Sequence, residues 1–146
     1  FRRVLFRSSA IDSSVILDVV TDDPRFAAAS ERALRQALRD GKLIVCECVL
    51  AEIYPAFAES PVFEEFLDDW QLEFTASSQQ SATLAGAHFA AYLQRGGKSG
   101  RVVADFLIGA HAQTHADRLV ARDRGYLRDY FAELTVLDPS LEGGER

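Results

Sequence analysis

No stretch of this sequence is long and apolar enough to cross a bilayer or to form the core of a secretion signal, because charged residues interrupt every run of that length. A cytoplasmic location, with no membrane association, is the default expectation. Cysteine is scarce: Cys46 and Cys48 stand one residue apart in an apolar segment, which is neither a disulfide framework nor a zinc-ligand spacing. Both read as core or strand residues. Of the three histidines, His111 and His115 are four apart and can share a helix face, yet no Cys or Glu completes a zinc motif around them. With His88 they read as surface or partly buried side chains. The chain also lacks a P-loop, a dinucleotide-binding glycine motif, a Gly-x-Ser-x-Gly nucleophile elbow and any internal repeat. The formal net charge of −6 excludes passive clinging to nucleic acid through a basic surface, but not an enzyme that gathers cations at an acidic site.

What is present is 146 residues, 48% of them hydrophobic, enough for one core and one domain. Residues 9 to 139 are read as that domain, and 140 to 146, polar and Gly-bearing, as a flexible tail. Arg2 to Ser8 read RRVLFRS, the conceptual translation of a common sequencing adapter, and no initiator Met precedes them. Residues 1 to 8 are therefore expected to be a non-native extension, without whose three arginines the net charge would be −9.

Short β-prone runs alternate with segments of helical period, the pattern of βαβ units and of an α/β fold with a mainly parallel sheet of four to five strands. Strands are expected at Val4 to Asp12, Lys42 to Glu47, Arg118 to Arg122 and Thr135 to Leu137, with Leu72 to Phe74 a weaker candidate. Pro24 to Asp40 is a helix opened by Asp23 and stopped by Gly41. Val49 to Glu59 is a helix disturbed by Pro55, and Pro61 opens another through Trp70. Phe63, Phe66 and Leu67 on that helix suit either capping the core or meeting a partner. Ser78 to Arg95 and Ser99 to Ala116 are two longer helices.

In open α/β sheets functional groups collect where strands end and helices begin. Asp12 ends the first strand, Glu52 comes one turn after the second, and Asp123 follows Leu119-Val120-Ala121. Parallel strands would turn all three to one cleft. Each also has a structural reading: Asp12 and Asp123 as helix caps, Glu52 as a complement to a helix N-terminus. Asp105 lies in an otherwise apolar segment, roughly two turns inside its expected helix, too deep to cap it. A charge buried there costs several kcal/mol unless it is paired or bound to metal. Gly109 follows it by one turn and leaves room for a neighbour or an ion, whereas His111 is rotated about 120° away. Carboxylates crowded together raise one another's pKa unless cations neutralise them, and Mg²⁺ or Mn²⁺, preferring oxygen ligands, suits such a set. Phosphodiester hydrolysis by metal-activated water is the chemistry it fits.

Four fragments, Ile11 to Asp18, Val49 to Ile53, Ala104 to Ala112 and Leu119 to Tyr126, in this order and at these separations, resemble a PIN-domain nuclease, in particular the toxin half of bacterial VapBC-type toxin–antitoxin pairs. The resemblance spans about Ala10 to Pro139. It implies that Asp12, Glu52, Asp105 and Asp123 are an acidic quartet holding Mg²⁺ or Mn²⁺ and positioning water, with Ser13 helping to order it. It further implies endoribonuclease activity on structured RNA such as tRNA or rRNA, a homodimer, and a cognate antitoxin whose tail blocks the cleft. Lys98, Arg101, Arg122 and Arg124 are placed to contact phosphate, or to serve as solvated charge; Arg122 and Arg124 equally suit ion pairs with neighbouring acids. One departure stands out: where the family often has Thr or Ser two residues before the last acid, this chain has Ala121, which removes a hydroxyl and weakens the expected hold on metal.

A reading of a different class is a non-catalytic Mg²⁺-binding regulatory or partner-binding module, either a degenerate PIN fold or a receiver-like domain. A receiver needs a Lys near its last strand, and none is found. A haloacid-dehalogenase-type phosphatase needs a second Asp two residues after Asp12, where Ser14 stands instead.

Overall fold

The computed structural model describes residues 7–98 and 102–141. Five strands form one sheet, β1 (Ser8–Ile11), β2 (Lys42–Val45), β3 (Leu72–Phe74), β4 (Arg118–Val120) and β5 (Val136–Leu137), in the order β3-β2-β1-β4-β5. Every neighbouring pair is parallel. The connections carry the helices that parallel pairing requires: α1 (Ser13–Val20) and α2 (Ala27–Asp40) lead to β2, and α3 (Glu47–Ile53) and α4 (Ser60–Asp69) lead to β3. Then α5 (Gln79–Gln94) and α6 (Val102–His115) carry the chain back across to β4, and α7 (Tyr126–Tyr130) precedes β5.

This order makes β1 and β4 the pair at which the chain reverses its direction of progress across the sheet. Connections leave β1 to one side and β4 to the other, so their carboxyl ends flank an open crevice. Asp12 follows one strand directly, and Asp123 follows the other after Ala121 and Arg122.

The inner strands β1, β2, β4 and β5 are buried along nearly their whole length, whereas edge strand β3 buries only Leu72. Ala10, Ile11, Leu43, Ile44, Val45, Leu119, Val120 and Val136 are all at most 3% exposed, and each aliphatic residue so enclosed contributes about 1.5 to 3 kcal/mol. Turn chemistry sets several boundaries. Ser78 caps α5 by accepting from the Ser81 N–H while the Ser81 hydroxyl accepts from the Ser78 N–H. Pro55 interrupts the helix after β2, converting Tyr54–Ala56 to a 3₁₀ turn. Asp23 accepts from the N–H groups of Arg25 and Phe26, so α2 opens at Ala27, three residues later than Pro24 suggests.

The expected mainly parallel sheet of four to five strands is observed with five strands, all parallel and shorter than the apolar runs suggest. The part of the first strand expected before Arg7 lies outside the described residues. Ser8 pairs with Lys42, and the Arg7 carbonyl accepts from the Lys42 N–H at 3.0 Å. Backbone pairing of this kind is indifferent to side chains, so it accepts residues read as non-native. The aromatic residues of α4 cap the core: Phe63 is buried, and Tyr54, Phe57 and Phe63 meet edge to face at 5.0 and 5.4 Å.

Gly109 has a packing reason. A Cβ at this position would fall 2.9 Å from the Phe131 ring and 3.1 Å from Leu127, so α7 and the residue after it press directly on α6. The neighbour admitted there is the end of α7, not an ion. Gly109→Ala is expected to lower stability by about 1 to 3 kcal/mol through overpacking, readable as a lower urea midpoint at unchanged slope.

Candidate functional site

Asp12, Glu52, Asp105 and Asp123 line one cavity of about 470 Å³ at the crevice beyond β1 and β4. They arrive from four separate elements. Asp12 is the N-cap of α1, with its Oδ2 accepting from the Ser14 N–H at 3.0 Å and also from the Ser14 hydroxyl. Capping and facing the cleft are thus compatible. Glu52 lies in α3, where its Oε1 accepts from the Ser13 hydroxyl at 2.9 Å. Ser13, itself buried, therefore ties α3 to α1 across the cleft floor. The Ser14 hydroxyl also accepts from the Arg122 N–H at 3.3 Å, linking the ends of β1 and β4.

Asp123 is held by backbone. Its Oδ1 accepts from the N–H groups of Gly125 at 2.8 Å and Leu127 at 3.1 Å, and its Oδ2 accepts from Arg128 N–H at 3.0 Å. This wrap needs Gly125 at φ 106°, a left-handed conformation that disfavours any side chain. From the other side, the buried Asp138 accepts from the Asp123 N–H at 3.1 Å while its Oδ1 accepts from the N–H and hydroxyl of Ser140. Ser140, read from composition as the start of a flexible tail, is thus tied to Asp138.

Helix α6 is described from Val102, which puts the Asp105 carboxylate in its first described turn; the start expected at Ser99 lies outside the described residues. Burial, then the charge of Asp12, and further those of Glu52 and Asp123 push the Asp105 carboxyl up to about 6, with the Arg124 guanidinium pulling the other way. Asp12 is also raised, chiefly by burial, against its hydrogen bonds from Ser14. Phe106 fixes the orientation of α6: fully buried, it meets Tyr130 at 5.3 Å, Tyr92 at 5.6 Å, and Phe89 and Tyr126 at 5.7 Å.

The basic candidates divide. Arg122 grips Asp18 with both arms, at 2.8 and 2.9 Å, and its guanidinium lies 4.1 Å from the centre of the Phe26 ring. Asp18 is 3% exposed and also accepts from the Ser30 hydroxyl at 2.7 Å. Arg124 is exposed, lines the cavity and acts electrostatically on Asp12 and Asp105. Lys98 is exposed, and its N–H donates to the Tyr92 hydroxyl at 3.2 Å, while Arg101 lies outside the described residues. His111 points elsewhere, as its rotation from Asp105 requires: Nε2–H donates to the Thr75 carbonyl at 2.7 Å, and burial lowers its pKa.

The donor chemistry fits a hard divalent cation. Among the described residues that line it, the cavity offers carboxylate oxygens and no sulfur or imidazole, and its acids are repelled by one another where they stand. Among the described residues, no three of the four acids bring carboxylate oxygens within 4.8 Å of one another; Cys46, Glu47 and Cys48 form the one such group of donors. The looser spacing suits Mg²⁺, which binds through one or two carboxylates and keeps several waters. The Cys46 group is otherwise engaged: Cys46 is buried at the start of α3, and Glu47 accepts from the Ser77 N–H at 3.0 Å. Sequence reasoning missed Ser14, Asp18 and Asp138 as supports of this site, as well as Tyr92 and Tyr126 in its wall. Ser14 and Asp18 stood within the first fragment of the resemblance, while Asp138 carried no spacing signal.

No protein of curated function matches the chain in sequence. Among solved structures it is similar to VapBC2 from Rickettsia felis bound to a DNA fragment from its promoter, at 18% identity and TM-score 0.69, over 90% of this chain and 98% of that one. VapBC-1 from nontypeable Haemophilus influenzae gives 18% and 0.68, over 92% and 99%. FitAcB from Neisseria gonorrhoeae gives 19% and 0.63, over 90% and 97%. Likeness at these identities establishes the fold that the sheet order already describes, and the PIN domain model itself matches residues 10–131, from the middle of β1 to the end of α7: the chain belongs to the PIN domain family.

Proposed function

We propose that this protein is a metal-dependent endoribonuclease that hydrolyses RNA phosphodiester bonds, and that it is the toxin of a toxin–antitoxin pair. The observation that carries this reading is the convergence of Asp12, Glu52, Asp105 and Asp123 from four elements on one cavity at the point where the sheet order reverses. Bound Mg²⁺ or Mn²⁺ would offset the mutual repulsion of these acids and supply the Lewis acidity that phosphodiester hydrolysis requires.

Within that set the roles differ. Asp12 and Asp105, whose carboxyls are destabilised as anions, gain most from a cation and are the primary ligands, with Glu52 beside them held in place by Ser13. Asp123, whose oxygens accept backbone N–H bonds from Gly125, Leu127 and Arg128, is held too firmly to close on a cation and would serve by orienting water. Arg124 and Lys98, exposed near the cleft, would contact phosphate, and so would Arg101. Arg122, committed to Asp18, would act mainly by fixing the β4 end. Ala121 offers no hydroxyl to this arrangement, and metal affinity is expected to be modest.

The similar VapBC structures are toxin–antitoxin complexes, which supports a cognate antitoxin as partner. Tyr54 in the 3₁₀ turn and Val62 on α4, exposed at 46% and 42%, suit a protein contact such as the proposed homodimer. Among the described residues no helix is long and apolar enough to cross a membrane, in keeping with action on cytoplasmic RNA such as tRNA or rRNA.

The test is cleavage of end-labelled total RNA by the purified protein with Mg²⁺ or Mn²⁺ and with chelator. Discrete fragments with metal, absent with chelator and absent for Asp12→Asn, are the expected result. Tight metal binding without cleavage of any RNA would leave the partner-binding alternative, a degenerate PIN fold, in its place. Family membership already removes that alternative's receiver-like form.

A further inference from the structure

A net charge of −6 denies this molecule a general hold on a polyanion, so cations that attract one must be gathered locally. Away from the acidic cavity they gather on α2. Residues 25–39 carry four arginines, Arg25, Arg32, Arg35 and Arg39, against a single acid, Glu31, and all four arginines are exposed. Helical spacing puts the last three on one ridge. At about 3.6 residues per turn, Arg32, Arg35 and Arg39 fall within about 60° of the circumference and span about 10 Å along the axis. Ser30, Ala33, Leu34 and Ala37 occupy the opposite, buried face. Arg35 is partly engaged, 3.6 Å from Glu31 and with its guanidinium 5.2 Å from the centre of the Trp70 ring. Arg32 and Arg39 have no ion pair among the described residues, and the acid that ends the helix, Asp40, is held by the buried Arg118 at 2.8 Å.

The ridge leads away from the cleft. Helix α2 begins at the carboxyl edge of the sheet, where the Phe26 ring lies 4.1 Å from the guanidinium of Arg122, the residue before Asp123 in the cavity wall. It runs back to the amino edge, where Gly41 leads into β2. A polymer that fills the cavity and continues past Phe26 meets the arginines next. The face is of the wrong kind for a protein partner, whose interfaces centre on apolar and aromatic side chains. Among the described residues, none of the exposed large hydrophobic side chains lies on α2, and the ridge is completed by the exposed Ala28 and Gln36. Arginine suits phosphate, whose oxygens its planar fork can meet two at a time. We infer that the outer face of α2 holds the phosphate backbone of the RNA substrate beyond the nucleotides at the cut, a second contact surface outside the acidic cavity. This rests on the nuclease reading above.

The experiment uses Asp105→Asn protein with Mg²⁺, so that bound RNA is not cut, and titrates it by anisotropy into a dye-labelled RNA of mixed sequence over a range of KCl concentrations. Arg32→Gln together with Arg39→Gln removes two phosphate contacts. The slope of log affinity against log salt is expected to become shallower by about 1 to 2, and affinity at about 0.1 M KCl to fall about 10- to 100-fold. Adding Glu64→Gln and Glu65→Gln, at two exposed acids on α4, restores the starting net charge and should recover little of that loss. Recovery to the starting affinity, or an unchanged slope in the arginine pair, overturns the ridge while the nuclease reading stands. So does polyglutamate that displaces the RNA as well as unlabelled RNA of similar length does, because the face would then accept an acidic protein segment equally. If the Asp105→Asn protein binds no RNA with its arginines intact, the nuclease reading fails and the ridge goes with it.

Discussion

Asp105→Asn is expected to yield a protein that folds at least as well as the parent at neutral pH without metal, yet cleaves RNA at least about 100-fold more slowly with it. The stability arm follows from the direction of the Asp105 displacement. Its carboxyl, raised to about 6 in the fold, returns to an ordinary value near 4 when the chain unfolds. A raised acid favours the fold fully below about pH 4, and that contribution is lost as pH climbs through about 6, because above it the native state must hold an anion it disfavours. The displacement is worth at most about 3 kcal/mol, and partial exposure of the carboxyl screens it to about 1 or 2. Asparagine has the same shape and no charge, so the variant should gain that amount at pH 7.5 and lose this part of the pH dependence between 4 and 6. Urea titrations at pH 4.5 and 7.5 measure it. Mg²⁺ should reverse the order of stabilities, raising the parent's melting temperature more than the variant's, and more at pH 7.5 than at pH 5, where protons compete for the same oxygens. A variant that keeps full Mg²⁺-dependent cleavage would remove Asp105 from the site; one that is less stable than the parent at pH 7.5 without metal would show that repulsion does not dominate there.

The sheet was legible because parallel strands buried on both faces leave continuous aliphatic runs, as in Leu43-Ile44-Val45 and Leu119-Val120, with helical period between them. Strand ends were not, because the hydrophobic run outlasts the ladder: Cys46 and Ala121 are as buried as the strands they follow, yet lie beyond them. The four acids were legible for a related reason. A carboxylate at the end of an apolar run, or inside one, has few innocent explanations, and Asp105 had the fewest. What sequence spacing does not carry is which polar groups meet across the fold. Ser13 reaches Glu52 across 39 positions, Arg122 reaches Asp18 across 104, and Arg118, fully buried at the start of β4, reaches Asp40 at 2.8 Å across 78. Each such pairing depends on strand order, and the order β3-β2-β1-β4-β5 was not encoded in any local pattern. The tyrosines went unnoticed for the same reason: Tyr92 on α5 and Tyr126 on α7 become neighbours only when both pack on Phe106.

The second large effect is structural and reaches the site indirectly. Asp18 is buried on α1 with two arms of Arg122 and the Ser30 hydroxyl as its partners, so three elements, α1, α2 and the chain after β4, meet at one carboxylate. Burying such a pair yields little net stability over an apolar equivalent, because desolvation offsets most of the attraction. Removing one partner is another matter. Asp18→Ala leaves the Arg122 guanidinium facing a buried hollow beside Phe26, and the expected cost is about 3 kcal/mol, near the lower end for broken buried pairs because the Arg122 side chain keeps 28% exposure and can turn to water. That is a large part of the 5 to 15 kcal/mol typical of a domain. The same loss frees the backbone of Arg122, whose N–H reaches Ser14 and through it Asp12, and the backbone of Asp123 directly after it. Activity should therefore fall even where the variant is fully folded, at low temperature, with the apparent Mg²⁺ requirement rising because the acids are no longer held in place. Asp18→Ala combined with Arg122→Met removes both charges and fills the space with a flexible apolar chain. It is expected to recover most of the lost stability but not the metal affinity, a split that urea melts and Mg²⁺ titrations of the two variants would read separately. If the double variant recovers neither, the pair's role is packing alone; if it recovers both, Arg122 does not position the end of β4.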